Sequence, residues 1–219
     1  MLTPAESEIL LTSLCVAAKA LLVLPLAIAA AFALSRPRVP GRIAWDGLVH
    51  LPVILPPVLV GFLLLMAFGR HGLFGAKLHL AFTQNGAALA TAVMIFPLLV
   101  RSIRLSFEAA DARLFDAAAV LGAGAWDRFF TIALPPAWPG IGAGAVTAFA
   151  AAMGEFGAVI TFAASIPGQT QTLPLAIYGA LQQPGGEAQA WRLASFSLAL
   201  ALLGLAAAEL LRRWARRGA

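Results

Sequence analysis

The sequence predicts an all-α polytopic membrane protein with about five transmembrane helices and a cytoplasmic helical hairpin. Of the 219 residues, 61% are hydrophobic and only 11% are charged, and the mean hydropathy is +0.88. A soluble domain carries about a quarter charged residues, so the composition indicates an integral membrane protein. Apolar runs long enough to cross about 30 Å of hydrocarbon recur along the chain, and most basic residues lie between them.

Five apolar segments reach the length of about 20 residues that a membrane-spanning helix needs. They form one predicted membrane domain, residues 9–213. We expect prolines to kink the second span near its start and to break the third near Pro97. A further apolar piece, residues 173–181, is too short to cross, so we predict a short helix that is either superficial or re-entrant. The predicted spans are residues 9–34, 48–68, 86–105, 138–164 and 192–211.

The distribution of basic residues predicts the orientation. If the hairpin between the third and fourth spans is cytoplasmic, the inside segments hold eleven basic residues and the outside segments hold three. An excess of lysine and arginine on the cytoplasmic side is the general rule for such proteins. The N-terminus is therefore predicted outside and the C-terminus in the cytoplasm, which agrees with an odd number of spans.

Residues 106–136 form the polar hairpin that interrupts the apolar pattern. The composition of residues 108–121 favours a helix, with Glu108 and Asp111 in a first turn where the helix dipole favours acidic groups. We expect Gly122 and Gly124 to end this helix, because glycine adopts the left-handed conformation readily.

A second short helix is predicted for residues 126–131. Pro135 and Pro136 are expected to stop this helix and to direct the chain back to the membrane. The hairpin is thus predicted to be a helix, a glycine turn and a second helix.

An ordered hairpin of this size outside the bilayer indicates a surface on which another protein docks. Its apolar side chains would enter a groove of the partner, with charged side chains at the rim. The alternative is a hairpin that lies on the lipid headgroups with its aromatic rings in the lipid. The apolar side chains are Leu114, Phe115, Phe129 and Phe130, and the charged ones are Arg113, Asp116 and Arg128.

One spacing in the hairpin is distinctive. Asp116-Ala117-Ala118 is followed after three residues by Gly122, and after nine more by Ile132, Leu134 and Pro135. This pattern resembles the EAA loop of binding-protein-dependent ABC transporter permeases, with aspartate where the family has glutamate. The resemblance implies a type I permease whose loop is a coupling helix that docks into a cleft of a separate ATP-binding subunit.

The resemblance also implies the other partners and the location. They are an external oxyanion-binding protein, a second copy of this chain as a homodimer, and the lipid bilayer of the bacterial cytoplasmic (inner) membrane. ATP hydrolysis is assigned to the partner subunit, so this chain is expected to be a transporter subunit and not an enzyme.

Several further segments are similar to the molybdate permeases within this family. The resemblance implies the membrane-spanning subunit of an ATP-driven importer of molybdate, or of tungstate. The Gly-Glu-Phe-Gly and Ile-Pro-Gly segments also occur in sulfate permeases, so a sulfate or thiosulfate permease is the alternative. The segments are residues 50–52, 55–57, 61, 101–104, 121–124, 154–157, 166–168 and 184–187.

The sequence contains no pattern for nucleotide binding or catalysis. The only lysines, Lys19 and Lys77, are followed by Ala20 and Leu78, so the Gly-Lys-Ser/Thr of a Walker A motif is missing. The three histidines are not spaced with carboxylates as metal ligands, so we expect no metal and no cofactor. The basic residues indicate topology and not nucleic-acid binding. A passive channel or an intramembrane enzyme remains as the alternative from another class.

Five residues are candidates for the transport path or its gate. Lys19 either attracts an oxyanion or extends its ammonium group to the interface. Glu155 would repel an anion, so we expect it to pair with a buried partner or a free helix N-terminus, with gating as the alternative. Pro56, Pro57 and Gly61 place irregular backbone at membrane depth, which is tolerated where it lines a cavity or is buried in protein. Because five spans enclose a polar path poorly, we expect it on the axis of a two-fold dimer.

Overall fold

The computed structural model describes residues 3–36, 40–70, 72–74, 78–109 and 112–217, with the backbone alone for 112, 205, 207–209 and 211–217. Helices make up most of this part of the chain. A 3₁₀ turn (Leu21–Val23) and a π-helical turn (Phe129–Ala133) join two of the helix pairs. The helices are α1 (Pro4–Ala20), α2 (Leu24–Ser35), α3 (Arg42–Ile54), α4 (Pro57–Phe68), α5 (Gln84–Glu108), α6 (Ala112–Val120), α7 (Ala125–Arg128), α8 (Leu134–Met153), α9 (Gly157–Ala163), α10 (Leu173–Leu181) and α11 (Glu187–Arg217).

The first membrane helix starts at a capping box. The Thr3 hydroxyl accepts a hydrogen bond from the Glu6 N–H at 3.3 Å, and the Glu6 carboxylate accepts one from the Thr3 N–H at 2.8 Å. These bonds satisfy donors that a helix N-terminus leaves open. The helix tightens into a 3₁₀ turn just before Pro25, because proline has no N–H to continue the α-helical ladder. Helices α1 and α2 together form one run of 32 residues.

The second predicted span is an elbow. Leu55 has an extended backbone (φ −74°, ψ 145°), as expected for the residue before a proline. Pro56 then caps α4, and Pro57 occupies its first turn, where a missing N–H costs nothing. The axes of α3 and α4 differ by 109°. The predicted kink in this segment is therefore confirmed, and it divides the span into two helices.

Helix α5 is the centre of the bundle. It packs against α1, α2, α8 and α9, and its side chains Ile95, Leu99 and Ile103 are buried. It begins at Thr83, whose hydroxyl accepts a hydrogen bond from the Gly86 N–H at 3.0 Å. The predicted break near Pro97 is wrong, because α5 is continuous through this buried residue. Packing on several sides outweighs the hydrogen bond that the proline removes.

Helices α8 and α5 approach closely through small residues. A Cβ atom at Gly140 would collide with the side chain of Ser106, and one at Gly144 would lie 2.9 Å from the Ser102 Oγ. Such small-residue stripes bring helix backbones together in membranes. This stripe therefore serves packing within the chain.

The segment predicted as one span over residues 138–164 is divided. Helix α8 ends at Met153, and the short helix α9 follows after three residues. Helix α9 packs against α4 and ends at Ala163; the next residue, Ala164, has a positive φ of 59°. The elbow between α3 and α4 thus faces a second interrupted segment.

Helix α10 has the predicted bounds, residues 173–181. Leu173 and Leu175 are fully buried, and the helix packs against α1 and α11. The backbone N–H of Leu173 donates to the Ser13 Oγ at 2.7 Å. This short helix is therefore part of the packed bundle, which argues against an attachment at the surface.

Three helical runs in the described residues are long and apolar enough to cross a membrane, and the α3–α4 pair is a fourth if it is counted as one span. The fifth predicted span, residues 192–211, lies within α11. For several residues of this span the structure describes the backbone alone. The three runs are Pro4–Ser35, Gln84–Glu108 and Ala125–Met153.

Candidate functional site

The helix of the polar hairpin, α6, is shorter than predicted. The prediction that Glu108 lies in its first turn is wrong, because Glu108 is the last residue of α5. Its carboxylate accepts a hydrogen bond from the Arg104 Nε at 2.7 Å and one from Arg42 at 3.3 Å. Asp111, the other predicted first-turn residue, lies outside the described residues. Glu108 is therefore held by two arginines at the base of the hairpin.

Gly122 ends α6 as predicted. It has a φ of +86°, and its N–H donates to the Ala119 carbonyl at 3.1 Å. The Ala123 N–H donates to the Ala118 carbonyl at 2.9 Å. These two bonds form a Schellman motif, which requires the left-handed conformation that glycine adopts at little cost. Gly124 does not end the helix, since it has a φ of −65° and precedes α7.

The second half of the hairpin is continuous with the membrane helix that follows. The predicted stop at Pro135 and Pro136 is wrong: the chain passes from α7 through a π-helical turn, Phe129–Ala133, into α8. Pro135 is in the first turn of α8, where it removes no required donor. Ile132 and Leu134 are half-buried against the core. The motif residues 132–135 therefore form the stem of the hairpin and not its tip.

Two of the four apolar side chains expected in a partner groove face the protein instead. Phe115 is only 8% exposed, and the guanidinium of Arg36 lies 4.0 Å from its ring centroid. Phe129 packs on Phe32 with ring centroids 4.7 Å apart. These two rings anchor the hairpin to the membrane helices. Their assignment to a partner is wrong.

The exposed part of α6 and its turn is the candidate docking surface. Its apolar side chains are Leu114, 57% exposed, with Val120 and Leu121, both more than 80% exposed. Asp116 and Ala117 are also exposed. An exposed cluster of large apolar side chains around a charged one is typical of a protein interaction site. The structure thus keeps the first half of the predicted motif accessible and buries much of the second.

The candidate path residues on α4 and the α8–α9 break lie together. A Cβ atom at Gly61 would be 2.6 Å from the Ala158 carbonyl oxygen, and one at Gly157 would be 2.6 Å from the Pro57 Cβ. Only glycine permits this approach of α4 to α9. The structure therefore places Pro57 and Gly61 beside the segment that begins at Glu155.

Glu155 caps helix α9. Its Oε1 accepts a hydrogen bond from the Ala158 N–H at 2.9 Å. Of the predicted alternatives, the structure shows the pairing with a free helix N-terminus.

Lys19 is in a different environment. It is exposed, and its ammonium group donates to the Gln84 Oε1 at 2.7 Å and to the Asn85 Oδ1 at 2.9 Å. Both acceptors lie at the start of α5. Lys19 therefore ties α1 to α5, and the structure does not join it to the α4–α9 contact.

A polar cavity of about 280 Å³ between α3 and α5 was missed by the sequence reasoning. Arg104 donates to Asp46 at 2.7 Å and to Glu108 at 2.7 Å, which joins the two helices. Arg104 and Glu108 are four residues apart, which indicates an ion pair if both lie on one helix. The prediction that Glu108 begins the hairpin helix conceals this pair. The cavity is lined by Asp46, His50, Arg101, Arg104, Leu105 and Glu108.

Comparison with known protein families shows which family the chain matches. Residues 23–217 match the family of binding-protein-dependent transport system inner membrane components. The chain belongs to this family. It is therefore a membrane component of a transport system and not an enzyme.

Named relatives are similar over most or all of the chain. The molybdenum transport system permease protein ModB of Escherichia coli K12 is 49% identical over 226 residues, which span 100% of this chain and 99% of that protein. The protein of the same name from Haemophilus influenzae is 48% identical over 87% of this chain and 86% of its own length. The sulfate transport system permease protein CysW of Synechococcus elongatus is 35% identical over 71% of this chain and 56% of its own length.

Solved structures share the fold. A crystal structure of a bacterial ABC transporter involved in the import of the acidic polysaccharide alginate matches with a TM-score of 0.70 at 16% identity, over 99% of this chain and 80% of that chain. A crystal structure of an amino acid ABC transporter with histidines matches with a TM-score of 0.67 at 16% identity, over 96% and 94%. The predicted all-helical permease fold is confirmed.

Proposed function

We propose that this chain is the membrane-spanning permease subunit of an ATP-driven importer whose substrate is molybdate. The full-length similarity to molybdenum permeases, 49% identity over 100% of the chain, carries this proposal. The similarity to a sulfate permease is lower and shorter. Tungstate has the same tetrahedral shape and charge as molybdate, so it is the expected competing substrate.

The permease acts with three partners. A separate ATP-binding subunit docks on α6 and its turn, where Leu114, Asp116, Val120 and Leu121 are exposed. An external binding protein delivers the oxyanion to the opposite face. A second copy of the chain completes the path, which the contact of α4 with α9 borders. The hairpin side of the membrane is the cytoplasm, in agreement with the eleven basic residues there.

Uptake by the reconstituted transporter tests the substrate. The permease, its ATP-binding subunit and the binding protein would be placed in proteoliposomes with ATP on the docking-surface side. We expect ATP-dependent uptake of radioactive molybdate. An excess of tungstate should inhibit this uptake, whereas sulfate at the same concentration as the tungstate should leave it unchanged. Stronger inhibition by sulfate than by tungstate would show that the chain is a sulfate permease. ATP-independent uptake would show a passive channel.

Labelling of single cysteines tests the orientation. In a variant with Cys15 replaced by serine, a cysteine at Gly124 should react with a membrane-impermeant maleimide only after the cells are opened. A cysteine at Leu73, which is 89% exposed in the loop after α4, should react in intact cells with a permeable outer envelope. The opposite pattern would reverse the proposed topology.

A further inference from the structure

An apolar groove of about 650 Å³ lies between α2 and the α7–α8 segment, outside the docking surface and the α4–α9 contact. Its α2 wall includes Pro25, Ala29 and Phe32, which follow one another at helical spacing on a single face. Arg36 directly follows α2, and its guanidinium lies over the ring of Phe32 at the end of this face. The groove therefore runs along α2 and ends at a guanidinium.

The opposite wall of the groove consists of residues of α8 and of the hairpin. It includes Trp138 and Leu134 in α8 and Phe130 and Trp126 near the hairpin, spaced four residues apart. Trp126 is 77% exposed, and Phe130 and Trp138 are each more than half exposed. At about 1.5 Å per residue this wall is about 18 Å long. One leaflet of hydrocarbon is about 15 Å thick, so the groove has the depth of a single leaflet.

Two arginines stand at the hairpin end of the groove. The Arg36 guanidinium lies 4.5 Å from the Phe32 ring centroid and 4.0 Å from that of Phe115. Its burial and the nearby charge of Arg128 hold the pKa of Arg36 below its usual value. The Arg128 side chain donates to the Gly124 carbonyl at 3.4 Å. In the described part of the chain neither arginine has an acidic partner.

We propose that this groove binds an anionic phospholipid from the leaflet on the docking-surface side. The acyl chain lies between Ala29 and Phe130, and the headgroup phosphate contacts Arg36 and Arg128. Guanidinium groups are suited to phosphate because they donate several hydrogen bonds in a fixed plane. Trp126, at the hairpin end of the groove, has an amphipathic ring, which favours the region between the lipid and water. A single anionic lipid thus covers the apolar walls with its acyl chain and neutralises the positive charge of the two arginines with its phosphate.

Native mass spectrometry of the full-length chain in detergent tests this proposal. The probes are palmitoyl-oleoyl phosphatidylglycerol, the matching phosphatidylcholine, dihexanoyl phosphatidylglycerol and inorganic phosphate. We expect long-chain phosphatidylglycerol to bind about thirtyfold more tightly than phosphatidylcholine, since each basic residue near an anionic surface contributes about a factor of five. Dihexanoyl phosphatidylglycerol and inorganic phosphate should fail to displace it.

Variants separate the headgroup from the chain. Arg36→Gln with Arg128→Gln should remove the preference for phosphatidylglycerol, whereas Arg36→Lys with Arg128→Lys should keep most of it. Arg70→Gln removes an exposed arginine outside the groove and should change nothing. Ala29→Trp fills the groove and should weaken binding of both long-chain lipids at least tenfold. Leu22→Trp places the same bulk on an exposed part of the first membrane helix and should have no effect.

Four results would overturn the proposal. Equal binding of phosphatidylglycerol and phosphatidylcholine to the unaltered chain would remove the role of the arginines. Displacement by inorganic phosphate would show a plain anion site. Lipid bound to the monomer and absent from the dimer would show that a second copy covers the groove. Displacement by the ATP-binding subunit would assign the groove to the docking surface. These measurements use the unaltered chain, so they test the lipid proposal even if Ala29→Trp fails to fold.

Discussion

The Glu155 carboxylate accepts a hydrogen bond from the Ala158 backbone N–H at 2.9 Å, where the chain leaves α8 and enters α9. The bond satisfies a donor that the start of α9 leaves open. Three residues after Glu155, the Ala158 carbonyl oxygen lies 2.6 Å from the position that a Cβ at Gly61 would take. The capped break and the elbow of α3 and α4 therefore support each other.

The cap gives a first prediction. Glu155→Ala removes the acceptor and should lower the free energy of unfolding by about 1 kcal/mol, as loss of a helix N-cap does. Glu155→Gln retains an acceptor oxygen and should stay close to the unaltered protein in both stability and molybdate uptake. Thermal unfolding in detergent measures the first and proteoliposome uptake the second. If Glu155→Gln is stable but inactive in uptake, the negative charge of Glu155 has a role in gating. If the Ala and Gln variants are equally stable, the hydrogen bond to Ala158 does not stabilise the protein.

The contact of α4 with α9 gives a second prediction. Gly61→Ala places a methyl group 2.6 Å from a backbone oxygen and 2.8 Å from the Thr161 Cβ, which forces the helices apart. We expect a loss of about 1–3 kcal/mol, typical of overpacking, and reduced uptake. Gly47→Ala is the matched control, because a Cβ at Gly47 meets nothing within 4 Å. If both variants unfold at the same temperature, the close approach is not required.

The turn after α6 gives a third prediction. Gly122→Val forces a β-branched residue to a φ of +86°, which costs about 1–2 kcal/mol and opens the Schellman turn. The variant should insert in the membrane but lose stimulation of ATP hydrolysis by the substrate-loaded binding protein. Gly124→Ala adds a methyl group two residues away at an ordinary φ of −65° and should retain stimulation. Normal stimulation in Gly122→Val would contradict a coupling role for this loop.

Neighbouring residues on α6 give a fourth prediction, because they face opposite ways. Phe115 is buried beneath Arg36, whereas Leu114 is exposed. Leu114→Ala should leave thermal stability unchanged and weaken binding of the ATP-binding subunit about tenfold, as truncation of an interface anchor does. Phe115→Ala should lower stability by about 3 kcal/mol and loosen α6. Surface plasmon resonance with the captured permease measures the affinity. Equal affinity losses with unchanged stability in both variants would show that Phe115 also docks.

Local chemistry explains which features were predictable. The Gly122 turn follows from the conformational freedom of glycine. The kink before Pro56 follows from the clash of a proline with the residue before it, and the bounds of α10 follow from its apolar length. Each is decided within a few residues, so the sequence is sufficient. The spacing of residues 116–135 was likewise enough to indicate the family.

Features that depend on distant residues were mispredicted. Helix α5 continues through Pro97 because other helices pack around it, and Pro135 lies harmlessly in a first turn because a π-helical turn precedes it. Glu108 belongs to α5 because Arg42 and Arg104 hold it there. Of these contacts, only the Arg104–Glu108 pair has a local signal, the spacing of four residues; the others join residues that are distant in sequence.

The sequence by itself determined a helical membrane permease and its relation to molybdate transport proteins, and it predicted a docking loop. Those properties depend on composition, on apolar length and on fixed spacing along the chain. Only the tertiary structure decided that Phe115 and Phe129 anchor the loop while Leu114 remains exposed. It also decided that Glu155 caps a broken helix beside Gly61. These outcomes depend on which surfaces meet in space, and burial against a distant helix leaves no periodic signal in a short, irregular segment.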